Sequence, residues 1–196
     1  MIGINGHRGF IGKALIKLLK EKNISYIELP RVLTENDLKG ITKILFLSSP
    51  SDNNDFKNRY NTSISMMDDY IKNVNMLRNT NIFCIFGSSL AVEDTNKYSN
   101  DYTIFKIAIE RYIASQLEFW GILRIPRVYG KNREKGLMQT LKYNYIDDGS
   151  TIEFIDIEDF TPNLLFAIEN INNHNIINFE TNKKMNLREI KNYYNL

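Results

Sequence analysis

Tyr102 and Lys106 stand four residues apart in "DYTIFKIAIERYIASQ", the spacing that brings two side chains onto one face of a helix. The pairing has chemical content. A free tyrosine titrates near pH 10, too high to relay a proton at neutral pH. A neighbouring ammonium favours the phenolate, and a fall of about 2–3 units corresponds to about 3–4 kcal/mol of differential stabilisation. A hydroxyl would complete such a site, and Ser88 and Ser89 end the apolar run "NIFCIFGSS". Each feature also has a plainer reading. Most Tyr-x-x-x-Lys pairs face solvent, and consecutive serines commonly cap a turn.

A second cluster opens the chain. "MIGINGHRGFIG" carries glycines at 6, 9 and 12 between a short apolar run and an amphipathic segment. Gly6 suits a tight bend, Gly9 lets backbone N–H groups approach a pyrophosphate, and Gly12 lets a helix pack hard on a strand. The helix N-terminus, which Phe10 and Ile11 begin, adds about half a positive charge. In that context the loop predicts a dinucleotide site. The next strand ends "YIELPR". Glu28 is the candidate to hold ribose hydroxyls, as NAD(H) sites require, whereas Arg8 and Arg31 suit a 2′-phosphate. Two arginines tilt the expectation to NADP(H), with NAD(H) the alternative.

"GHRGFIG", "YTIFK" and "LRIPRVYG" together resemble the extended short-chain dehydrogenase/reductase family, whose members mostly act on nucleotide sugars. "GHRG" is similar to the loop of the GDP-fucose synthases, which use NADPH. The resemblance runs from Met1 to about Tyr194. It implies a catalytic triad of Ser89, Tyr102 and Lys106, with Ser88 beside it as a substrate contact, and gives Lys106 a second role on the nicotinamide ribose. It further implies Leu47, Ser48, Pro126 and Val128 along the cofactor, Asn132 and Arg133 toward the substrate, and a homodimer through the face of helix 101–116. The activity it implies is an NADP(H)-dependent reduction of a nucleotide 4-keto-sugar. The alternatives are a 4-epimerase or dehydratase with tightly bound NAD, and a non-catalytic dinucleotide-binding module. The chain departs from the family in the short connection from Ser89 to Tyr102 and in the compressed segment after Gly130. Leu90, Ala91 and Val92 follow Ser89 where family dehydratases carry acids, and Glu93 and Asp94 come only afterwards.

These side chains need a frame. Apolar runs at 2–5, 24–29, 41–49, 81–89 and 121–130 alternate with amphipathic segments from Gly12, near 61–78 and at 101–116. The tail adds a run at 150–157, a helix near 159–170, a strand at 175–180 and a last helix near 187–194. That order predicts an α/β chain with a Rossmann-type, doubly wound, mainly parallel sheet. One domain is expected, with a dinucleotide-binding core at 1–130 and a reduced substrate lobe, plus a returning strand and helix, at 131–196. A length of 196 residues supports one core. With 25 basic against 23 acidic residues, net charge makes no case for nucleic acid. No apolar run approaches the roughly 20 residues that span a bilayer, and no signal-peptide pattern is present, so a cytoplasmic location without a membrane is expected. Cys84 is the single cysteine, and His7 and His174 offer no metal cluster. Asp68–Asp69, Asp147–Asp148 and Glu158–Asp159 read as surface pairs or caps, because adjacent residues do not face each other.

Overall fold

The structure is a computed structural model that describes residues 1–49, 60–94, 96, 100–143 and 149–196. Nine strands are described: β1 (Ile2–Asn5), β2 (Tyr26–Leu29), β3 (Lys43–Phe46), β4 (Phe83–Ser89), β5 (Trp120–Ile125), β6 (Val128–Tyr129), β7 (Thr151–Asp156), β8 (Asn175–Asn178) and β9 (Lys183–Asn186). The helices are α1 (Phe10–Glu21), α2 (Tyr60–Leu77), α3 (Asp101–Gln116), α4 (Leu137–Tyr143), α5 (Ile157–Asn170) and α6 (Leu187–Tyr194).

Six strands form one sheet in the order β2-β1-β3-β4-β5-β8, and every pairing in it is parallel. Such a sheet is covered on both faces, so its strands are apolar on both sides. Alternation sorts the residues. Ile4, Leu45, Ile85 and Leu123 pack with Leu15 and Leu19 of α1 and Phe160 and Leu164 of α5. Ile44, Phe46, Cys84 and Phe86 pack on the other face with Tyr70 and Val74 of α2 and Phe105 and Ile109 of α3. The strand order reverses between β1 and β3, and at such a reversal a crevice opens beyond the carboxyl ends of the strands.

Pro126 lacks an N–H and ends the pairing of β5. The chain then leaves the main sheet as β6, which pairs with β7 in a small sheet ordered β6-β7-β9. Tyr129, Met138, Leu141, Phe154, Ile190 and Tyr194 form its core. β8 and α5 belong to the main sheet and its cover, so the last third of the chain serves both cores.

β9 and α4 are elements that hydrophobic patterning does not reveal. β9 reads "KKMN" and owes its form to its neighbour, since β7 offers an edge and Lys184 meets Glu153 directly across it at 2.9 Å. α4 buries only Met138 and Leu141 in seven residues, too short a stretch for a period to show. Among the described residues no helix is long and apolar enough to cross a membrane.

Candidate active site

The glycine loop lies where β1 meets α1, and two of its glycines are required by close approach. Gly6 adopts φ +93°, and a Cβ there would sit 2.5 Å from the backbone nitrogen of Ser48. A Cβ at Gly12 would lie 2.3 Å from the Gly6 carbonyl oxygen, so α1 reaches the loop only because that atom is missing. Gly9 is the N-cap of α1, without a side-chain cap and without an acidic residue in the first turn. The uncapped N–H groups and the cradle left by missing Cβ atoms fit a pyrophosphate. Ile11 packs partly into the first core, and Phe10 lies against the Gly130 backbone.

The rim of this crevice carries paired charges. Arg8 is exposed. His7 Nε2 stands 3.5 Å from the Glu28 carboxylate, and Arg31 Nε meets Asp69 Oδ2 of α2 at 2.8 Å. Asp69 is therefore no surface acid, contrary to the expectation for the Asp68–Asp69 pair. Glu158 and Asp159 do lie at the surface, and Asp147–Asp148 fall outside the described residues. The segment that leaves β3 closes the inner wall. Leu47 accepts the approach of Gly87, Ser48 Oγ donates to Asn5 Oδ1, and Asn5 Nδ2 donates to the Pro30 and Arg31 carbonyls.

Tyr102 and Lys106 share one face of α3, as their spacing predicts, with Lys106 Nζ 5.8 Å from the Tyr102 ring centroid. The lysine side chain crosses the end of β4, 4.9 Å from the Phe86 ring centroid, and donates to the Gly87 carbonyl at 2.8 Å and to Ser49 Oγ at 2.6 Å. Lys106 is 3% exposed. Burial draws its ammonium down from 10.5 to about 7, and the Glu110 carboxylate one turn along works in the opposite sense. Asn100 caps the helix by accepting from the Thr103 N–H at 2.9 Å, which fixes the turn that carries Tyr102.

Ser89 ends β4 and caps the 3₁₀ turn Leu90–Glu93, its Oγ accepting from the Ala91 N–H at 3.2 Å. That bond leaves its hydroxyl proton to be donated elsewhere. Ser88 Oγ is buried and has no hydrogen-bond partner among the described residues. The 3₁₀ turn packs on α3, so the short connection still brings the serines to the tyrosine helix.

A partly buried ionic strut that patterning misses lies behind these residues. Arg124 of β5 donates through Nε and Nη2 to both Glu110 oxygens, at 3.2 and 2.7 Å, and through Nη1 to Glu93. Asn178 also donates to Glu93. The only sequence signal is Glu110, four residues beyond Lys106 on the same helix face. Ser49 is a second residue not anticipated. Further along, Pro126 is partly exposed, Val128 is buried in the first core, and Asn132 is exposed. Arg133 donates to the Val128 carbonyl at 2.6 Å, with its guanidinium 5.5 Å from the Phe10 ring centroid and 6.0 Å from that of Tyr129. It thus joins the small lobe to the start of α1.

No protein-family model and no curated protein matches the chain. Solved structures do. MoeE5, in complex with UDP-glucose and NAD, superposes with a TM-score of 0.82 at 15% identity, over 98% of this chain and 80% of that one. TunA, an NAD-dependent NDP-hexosamine 5,6-dehydratase involved in tunicamycin biosynthesis, gives 0.78 at 17%, over 97% and 78%. The dTDP-4-dehydrorhamnose reductase of Bacillus anthracis str. Ames, in complex with NADP, gives 0.77 at 14%, over 100% and 81%. The chain has the fold of these proteins, a Rossmann-type α/β fold, and its described residues also form a small second sheet.

Proposed function

We propose that the chain is a short member of the extended short-chain dehydrogenase/reductases, a nicotinamide-dinucleotide enzyme acting on a nucleotide sugar. The observation that carries this reading is the placement of Lys106. It is buried at the end of β4 between the Gly87 carbonyl and Ser49, with Tyr102 on its helix face and the glycine loop two strands away. The crevice fits the cofactor through the uncapped start of α1 and the Gly6–Gly12 cradle. When bound, the nicotinamide exchanges hydride with the substrate carbon. The chain supplies the rest. Tyr102 gives or takes the proton at the substrate oxygen, and the Lys106 ammonium stabilises the phenolate left behind. Ser89 donates a hydrogen bond from its hydroxyl to that same oxygen, polarising it.

Among reactions, reduction of a 4-keto-sugar is the reading favoured. Dehydration needs a further acid/base pair beside the sugar, and Glu93 is bound instead to Arg124 and Asn178. A 4-epimerase remains the second reading, since it uses the same three side chains with a retained cofactor. Ile104 of α3, 49% exposed, is an apolar part of the face of helix 101–116 proposed for a homodimer.

The test is nicotinamide absorbance over time with a panel of nucleotide 4-keto-6-deoxysugars, on wild type and on Tyr102→Phe. The expected result is turnover by the wild type, reduced about 10²–10⁴-fold in the variant with cofactor binding retained. Equal turnover by the variant refutes the assignment of Tyr102. Tight cofactor binding without net oxidation, but with inverted product, establishes the epimerase.

A further inference from the structure

Two arginines at the rim of the crevice point to a 2′-phosphate by type alone, yet one of them is already occupied. Arg31 directly follows Pro30 at the exit of β2, beside the position of the adenosine ribose in this fold. Its backbone is fixed from both sides, since its carbonyl accepts from Asn5 Nδ2 at 3.3 Å and from Asn73 Nδ2 at 2.9 Å. The Leu33 N–H donates to Asn73 Oδ1 at 2.9 Å, so the loop cannot swing without breaking α2 contacts. Its guanidinium meets Asp69, whose side chain is 14% exposed against 42% for the arginine. The carboxylate is thus the inner, fixed member of the pair. With Glu28 on the opposite side beside His7, the described rim holds two cations, Arg8 and Arg31, against two carboxylates.

Resting on the dinucleotide reading above, we propose that Asp69 is a specificity-determining residue: it neutralises Arg31 and sets the choice of cofactor toward NAD(H). A dianionic 2′-phosphate brought to Arg31 meets the Asp69 carboxylate behind it, whereas a ribose hydroxyl carries no charge to repel and finds an acceptor in Glu28. Removing one charge several ångströms from a dianion at a half-exposed site changes affinity by about tenfold.

The experiment is calorimetric titration of the whole chain with NADH and with NADPH, on wild type, Asp69→Asn, Arg31→Met and the double variant. Wild type binds NADH at least as tightly as NADPH. Asp69→Asn tightens NADPH about tenfold and leaves NADH within about twofold, which also shows that the variant is folded. Arg31→Met alone leaves NADH within about twofold and weakens NADPH about tenfold, because the Asp69 carboxylate is then uncompensated, and in the double variant the gain disappears. An unmoved ratio in Asp69→Asn overturns the proposal. So does weakened NADPH binding, because Asp69 would then be aiming Arg31 at the phosphate. Binding of neither nucleotide by the wild type overturns the dinucleotide reading itself and the proposal with it.

Discussion

Lys106→Met removes a charge and almost no volume from a site that holds the charge at a cost. The folded protein releases the Lys106 proton near pH 7, against an ordinary value of 10.5, and burial is the cause. The unfolded chain keeps that proton until about pH 10.4. Between those values the unfolded state binds more protons, so the lysine makes wild-type stability rise with pH across the interval from 7 to 10.5. Below it the penalty is fully present, and above it the penalty is gone. At about 1.4 kcal/mol per unit the ceiling is about 5 kcal/mol. Methionine escapes that penalty but gives up the bonds to Gly87 and Ser49, leaving a buried carbonyl unpaired at about 1–3 kcal/mol. The variant is therefore more stable than wild type by about 2–4 kcal/mol at pH 6 and less stable by about 1–3 kcal/mol at pH 10.5. Urea unfolding at several pH values, read by far-ultraviolet circular dichroism, tests this. Parallel stability curves for the two proteins, or a variant weaker at every pH, refute the reasoning.

Arg124→Met leaves Glu110 buried without its bidentate partner and costs about 3–5 kcal/mol in denaturant unfolding. Adding Glu110→Leu restores most of that loss, and a double-mutant cycle reports the coupling. Gly12→Ala places a Cβ 2.3 Å from the Gly6 carbonyl and forces α1 off the loop. The expected result is loss of NADH and NADPH binding by titration together with a lower unfolding midpoint.

The sheet was legible because its strands are apolar on both faces: "IGIN" and "FCIFGSS" read as short apolar runs bounded by turn residues. Glycine positions 6 and 12 were legible for a steric reason, since no other residue fits where the backbones approach. Tyr102 and Lys106 were legible by helical spacing. The partners of the rim were not. Asp69 lies 38 positions from Arg31, and Arg124 bridges Glu93 and Glu110 from a strand between them in space. No local period reports such pairs, which exist only once the sheet order is fixed. Arg31 shows the consequence: its type argues for a phosphate, and its partner argues against.

The order in which the chain is made gives the sheet an asymmetric history. Once Ile125 has emerged from the ribosome, β1 to β5 can pair, and α2 and α3 are ready to cover one face. The opposite face has only α1, because its other cover is α5, which ends at Asn170. At roughly 5–20 residues per second those 45 residues take about 2–9 s. During that interval the part of this face that Phe160 and Leu164 later cover lacks its cover, and β5 is an open edge awaiting β8. A nascent chain in this state is sticky on one side only. A chain cut before α5 therefore leaves a half-covered sheet that aggregates.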